Sequence, residues 1–205
     1  MPEKSPYSFE DSPYVTAWYA ALGKFNVVFE LLAHTIKERL LDYGDKRPEV
    51  RLLMQDLTVS QTLDALYKII NHRAENGQMG DNEKVLYLLL ISDLRAINTV
   101  RNNVIHRFWF VETYNPNFLK EGVNQDDEGI DFWDKLEKIS VGYKFNNTAQ
   151  PLIIKQGYLK EQIVQVLTLR GVTNSITDRA TSGTLTLDQI WSRNQKGEWI
   201  KKESA

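Results

Sequence analysis

Residues 81–108 read DNEKVLYLLLISDLRAINTVRNNVIHRF. Asp81 stands where an N-cap is wanted, and from Asn82 to about Phe108 apolar residues recur at three- and four-residue spacing, which predicts the strongest helix of the chain. With Arg101 set at zero on a helix advancing about 100° per residue, Leu90, Leu94, Ile97, Val104, Ile105 and Phe108 fall within about 60° on either side. An arginine therefore occupies the centre of the apolar stripe. Burying a guanidinium is costly unless its donors are paired, so a merely solvated face does not explain the position. A carboxylate such as Glu30 or Asp93 tied to it would make it a structural pair. Round one flank, Asn98, Asn102 and His106 lie at about 60°, 100° and 140°. They form a polar edge with a fixed cation and a titratable imidazole beside a surface that must pack.

Upstream, Ser12-Pro13 reads as an N-cap with proline at the first helical position. Ala17, Trp18, Ala21, Leu22, Phe25, Val28, Phe29, Leu32, Ile36 and Leu40 then predict a long amphipathic helix over about 13–41. Tyr43-Gly44-Asp45-Lys46-Arg47-Pro48 breaks it. Leu52, Leu53, Leu57, Leu63, Leu66, Ile69 and Ile70 continue a helical pattern, split by a kink or cap near Thr58-Val59-Ser60. His72 to Asn82 is polar and glycine-bearing, a loop in which His72 is exposed. Val85 to Ile91, the longest apolar run, falls far short of the roughly 20 residues that span a bilayer, and reads as a buried helix segment.

Downstream, Phe110, Val111, Val141, Tyr143, Phe145 and Leu152-Ile153-Ile154 have strand character between polar loops, so residues 109–156 form a small β-containing insertion. Tyr158 to about Thr181 returns to helical spacing, weakened in its middle by Gly171. The expected division is an N-terminal extension (1–12), a mainly α-helical domain (13–183) carrying that insertion, and a C-terminal tail (184–205) holding Trp191 and Trp199, whose structure the sequence leaves undecided.

Composition narrows the chemistry. A chain of 205 residues with 42% apolar content can bury a sizeable core, and it has no cysteine, which removes disulfides, thiol nucleophiles and Cys-ligated metal centres. Twenty-five basic against 27 acidic residues give a net charge of -2 and a pI of about 6.0, so no global positive field draws nucleic acid and any such contact is local. His34, His72 and His106 have no metal-ligand spacing, no glycine loop cradles a phosphate, and neither metal nor cofactor is expected. The first twelve residues lack a basic start followed by an apolar run, so a cytoplasmic protein without membrane association is expected.

An arginine and a histidine suffice to cleave RNA without metal. The imidazole moves the proton of a ribose 2′-hydroxyl or of the leaving 5′-oxygen, and the guanidinium stabilises the phosphorane-like transition state. Asn26, Glu30, His34 and Lys37 on the first helix read as a solvated row, with Glu30 the member able to orient Arg101. Trp109, Phe110 and Tyr114, just past Arg107, are either a base-stacking cluster or the core of the insertion.

Arg101-Asn102-Asn103-Val104-Ile105-His106, near the end of its helix, resembles the signature of the HEPN superfamily, and residues 25–34 resemble the first helix of its bacterial members. The resemblance covers about 13–108, and 158–181 more loosely. It implies a helical bundle that dimerises and joins the Arg–His pairs of two chains in one cleft. It also implies metal-independent endoribonuclease activity of the kind used by toxins, in antiviral defence and in RNA processing. Carried over residue by residue, Arg101 and His106 are the catalytic pair and Asn102 the supporting polar residue, with Asn98, Arg107 and Glu30 flanking them as RNA-binding or supporting groups. Two departures stand out: Arg107 follows His106 where many relatives have glycine, and Glu30 is followed by His34 rather than by a basic pair. Expected partners are a second copy, RNA, and an antitoxin or nucleotidyltransferase-type protein. The alternative is a non-catalytic HEPN-like module that binds nucleotides or proteins.

Overall fold

The computed structural model of the chain describes residues 13–43, 47–114, 137–144, 147–155, 157–175 and 185–202. The fold is mainly α-helical. In chain order it runs α1 (Pro13–Tyr43), α2 (Pro48–Gln55), α3 (Val59–Glu75), α4 (Asp81–Ile105), β1 (Phe108–Tyr114), β2 (Glu137–Lys144), β3 (Asn147–Lys155), α5 (Tyr158–Asn174), α6 (Leu187–Ile190), β4 (Trp191–Arg193) and β5 (Trp199–Lys201). It divides into two compact units: Met1–Phe25 with Asn102–Gln162, and Asn26–Arg101 with Ile163–Ala205. Among the described residues no helix is long and apolar enough to cross a membrane.

The second unit holds most of the helical core. Leu32 and Ile36 of α1, Leu63, Leu66 and Ile70 of α3, Leu90, Ile91, Leu94 and Ile97 of α4, and Val166, Leu169 and Val172 of α5 are all at most 2% exposed. Their three- and four-residue spacing is the reason these segments are helices that bury one stripe each. Polar pairs give the helix directions. Glu30, midway along α1, meets Arg101, and Tyr43, at its C-terminal end, meets Tyr87, so advancing along α1 matches retreating along α4. The same logic makes α3 and α4 antiparallel, since Ser60 meets Asn98 and Asp64 meets Arg95. The short turn after α3, with Gly77 at φ +68°, permits that reversal.

The break between α2 and α3 has a local cause. Thr58 caps α3: its hydroxyl accepts from the Gln61 amide, and the Gln61 side chain accepts from the Thr58 amide at 2.8 Å. α3 continues to Glu75, so His72, expected in a loop, sits exposed in its last turn. In α4, Gly80 rather than Asp81 accepts the first helical bond, from the Lys84 amide, and Asp81 joins Glu83 in an acidic first turn that complements the helix dipole. Within the apolar run 85–91, Val85 is 55% exposed while Tyr87, Leu90 and Ile91 are buried. One helix cannot bury seven consecutive residues against one neighbour.

In the first unit β1, β2 and β3 form an antiparallel sheet in that order, with Phe110 opposite Val141 and Val141 opposite Ile153. β3 is an edge strand, which tolerates Pro151 because an edge leaves amide positions without a ladder partner. The strand starting at Phe108 ends α4 at Ile105, three residues short of the expected boundary. An aromatic and β-branched run, FWFV at 108–111, prefers a pleated ladder to another helical turn.

The tail folds onto the second unit as α6 and a hairpin in which Trp191 faces Lys201 and Arg193 faces Trp199. Leu187 is 1% exposed, and Trp191 donates to Ser175 at 2.9 Å. A Cβ on Gly171 would lie 3.9 Å from the Trp191 ring, so this helical glycine lies against the tryptophan. α5 ends at Asn174. The expected Ser12 cap, Phe145 and residues 176–181 lie outside the described residues.

Candidate functional site

Arg101 is set among the most completely buried positions of α4, with Leu90, Leu94, Ile97 and Val104 at most 1% exposed. Its own side chain keeps 23% exposure, so the guanidinium reaches the rim of the core rather than its centre. Two groups of α1 define that position. The Arg101 Nη2 donates to Glu30 Oε1 at 3.1 Å, and the guanidinium carbon stands 5.7 Å from the centroid of Phe29, whose ring is 2% exposed. An i to i+1 step on α1 thus supplies both an apolar floor and a carboxylate. Of the two carboxylates the sequence offers, Glu30 takes the arginine. Asp93 is engaged elsewhere, accepting from Trp199 Nε1 at 2.8 Å and from Arg193 at 3.2 Å.

Glu30 is 55% exposed, so the pair is not a buried ion pair. A pair with one partner in solvent contributes at most about 1 kcal/mol to stability, and it leaves the cation reachable from water. The expected solvated character of the α1 row holds for Glu30 and His34, which are exposed. Lys37, half-buried, instead donates to the Gln55 carbonyl of α2 at 3.1 Å.

Asn98, one turn before Arg101, is 9% exposed and donates to the Ser60 hydroxyl at 3.2 Å. A buried amide needs such a partner. Ser60 lies in the first turn of α3, held there by the Thr58 capping box. The Thr-x-x-Gln capping pattern marks that helix start in sequence, but nothing local to it names Asn98 as its neighbour.

Asn102, His106 and Arg107 belong to the first unit, since the division falls between Arg101 and Asn102. Asn102 is exposed, His106 follows the last residue of α4 and is exposed, and Arg107 is half-buried. Each is engaged by neighbouring groups. Trp109, Phe110 and Tyr114 lie in β1. Among the described residues no three His, Asp or Glu side chains are grouped as metal ligands.

Compared with protein-family models, with curated proteins and with solved structures, the chain gives no match.

Proposed function

We propose that the chain is a metal-independent endoribonuclease that cleaves RNA through Arg101 and His106 in a homodimeric cleft, as a toxin or antiviral-defence effector restrained by an antitoxin or nucleotidyltransferase-type partner. The observation that carries the reading is Arg101 itself. It is a cation seated in an apolar stripe, floored by Phe29 and held by an exposed carboxylate, so that its charge is positioned without being sealed off. The Arg-Asn-x3-His spacing supplies the second half.

In this reading the ribose 2′-oxygen attacks the adjacent phosphorus while an imidazole takes its proton. The bond to the 5′-oxygen breaks, and that oxygen leaves with a proton from an imidazolium. Arg101 stabilises the extra negative charge on the phosphoryl oxygens. The products are a 2′,3′-cyclic phosphate and a 5′-hydroxyl. The test is cleavage of RNA by the purified chain in excess EDTA, with the ends identified by mass. Activity that persists with cyclic-phosphate ends, and falls 10²-fold or more in His106→Ala, is expected. Loss of activity on chelation, or full activity of His106→Ala, removes the mechanism.

One observation favours the non-catalytic module instead. Glu30 already offsets the Arg101 charge, as a purely structural pair does. That reading gains if neither wild type nor His106→Ala cuts any RNA while both bind the same protein.

A further inference from the structure

Within the second unit, the start of α4 and the C-terminal hairpin enclose a pocket of about 330 Å³. Small-molecule sites run from about 300 to 1,000 Å³, so this is room for a small ligand. Val85 and Leu86 of α4 and Trp191 of β4 supply its apolar wall. Val85 is the exposed member of the 85–91 run, and the Trp191 ring is held in place by its bond to Ser175 and by Gly171 behind it. The rest of the wall is charged or polar. Lys202 Nζ donates to the Asp188 carbonyl at 2.7 Å, which uses one of the three donors of an ammonium. The Asp188 carboxylate accepts from the Thr186 hydroxyl. Among the described residues neither charge has an ion-pair partner, and the two do not pair with each other. Arg193 also lines the pocket, but its charge is answered by Asp93.

We propose that this pocket binds a free apolar α-amino acid, such as phenylalanine or leucine, with its carboxylate at Lys202, its ammonium at Asp188 and its side chain against Val85, Leu86 and Trp191. One unpaired charge of each sign beside an apolar wall is the complement of a zwitterion with an apolar side chain. A simple anion would face the Asp188 carboxylate and a simple cation the Lys202 ammonium, each a like-charge contact that a zwitterion avoids. The Asn82 amide and the Ser192 hydroxyl, also in the wall, add donors for the ligand carboxylate. The ligand touches both α4 and the tail, so binding clamps the hairpin to the helix. Leu86 precedes Arg101 by 15 positions, about 22 Å along α4, so the site is separate from the proposed RNA-cleaving pair.

The experiment is calorimetric titration of the full chain with L-phenylalanine and L-leucine, beside N-acetyl-L-phenylalanine, L-phenylalaninamide and L-alanine. At least one of the two apolar amino acids is expected to bind with a Kd of about 1 mM or tighter, and L-alanine more weakly. Asp188→Asn and Lys202→Gln should each weaken that binding by about 10- to 100-fold. The analogues assign the ends. N-acetyl-L-phenylalanine, which lacks the ammonium, should bind weakly and be indifferent to Asp188→Asn, and the amide, which lacks the carboxylate, should be indifferent to Lys202→Gln. Val85→Trp fills the pocket mouth from an exposed position, so it should abolish binding without unfolding the chain. In the wild type, saturating ligand should raise Tm and protect the C-terminal hairpin from proteolysis. No binding of either apolar amino acid, N-acetyl-L-phenylalanine binding as tightly as L-phenylalanine, or undiminished binding in Val85→Trp overturns the site. RNA cleavage is no part of the test, so the ribonuclease reading stands or falls separately.

Discussion

Helix α4 carries two half-buried charges that the fold treats differently. Asp93 and its partner Arg193 are both little exposed, at 22% and 23%, and the carboxylate also accepts from Trp199. Arg193 is further fixed by its own donation to the Gly197 carbonyl at 2.7 Å and by the Trp199 ring at 5.4 Å. That assembly closes on itself and fastens the C-terminal hairpin to α4. Arg101 has a comparable ring beneath it, but its carboxylate partner is more than half in water. Both cations rest on aromatic rings, and the exposure of the partner carboxylate separates them. Where both members of the pair are little exposed the charge acts as a fastener, whereas the carboxylate partner of Arg101 faces water.

The largest expected effect sets the two against each other. Arg101→Ala should lower RNA turnover by about two or more orders of magnitude while leaving the fold nearly intact, because Glu30 returns to solvent rather than being stranded. Steady-state kinetics beside a denaturant melt reads both. A stability loss above about 3 kcal/mol with turnover retained would make Arg101 a second fastener.

Asp93→Ala should do the reverse. Removing the acceptor of Trp199 and Arg193 should cost about 2 kcal/mol of stability and loosen the hairpin, with turnover per folded molecule unchanged. Limited proteolysis of the C-terminal segment is the sensitive readout. A hairpin that stays equally protected in the variant would deny Asp93 its role.

A third measurement uses the opposite end of the α1–α4 seam. There Tyr43 donates to the Tyr87 hydroxyl at 3.4 Å, and burial pushes both phenols above their ordinary value near 10. For Tyr87 the nearby Tyr43 and Glu83 add to the upward push, whereas for Tyr43 the contact with Tyr87 and Arg73 opposes it. A raised acid keeps its proton in the fold after the unfolded chain has lost it. The stabilisation is therefore complete below about pH 10 and declines above it, by up to about 1.4 kcal/mol per pH unit for each phenol. Chemical denaturation between about pH 9 and 11 should show that decline, shallower in Tyr87→Phe. A flat profile would mean this end of the seam is open as well.

The smallest effect sharpens the Arg101 side alone. Glu30→Gln should change stability by less than about 1 kcal/mol, yet strengthen the dependence of RNA binding on salt, because the guanidinium loses its competing carboxylate. Binding titrations at several salt concentrations check it.

Much of this organisation is legible residue by residue. The spacing of Phe25, Leu32 and Ile36, of Leu63, Leu66 and Ile70, and of Leu90, Leu94 and Ile97 marks three helices, because a buried stripe imposes a 3.6-residue period on neighbouring letters. The turn chemistry at Thr58 and Gln61 marks the start of α3 for the same local reason. The end of α4 is less legible, since residues 104–108 satisfy both a helical stripe and a strand. The ladder from Phe108 to Tyr143 decides between them. The hairpin in the tail is illegible in a window of ten residues because its fastening lies 106 positions away, at Asp93.

By itself the sequence determined that an arginine would lie in an apolar stripe with asparagines and a histidine on its flank, because helical periodicity is local and fixes angles around one axis. Only the tertiary structure decided which acid meets that arginine. Glu30 and Arg101 are 71 residues apart, and their meeting follows from the antiparallel register of α1 on α4. The fit of buried side chains such as Leu32, Ile36, Leu94 and Ile97 sets that register, and no local pattern encodes it. The same packing gave Asp93 to the hairpin and left Glu30 more than half in water, a difference in exposure that no local pattern encodes.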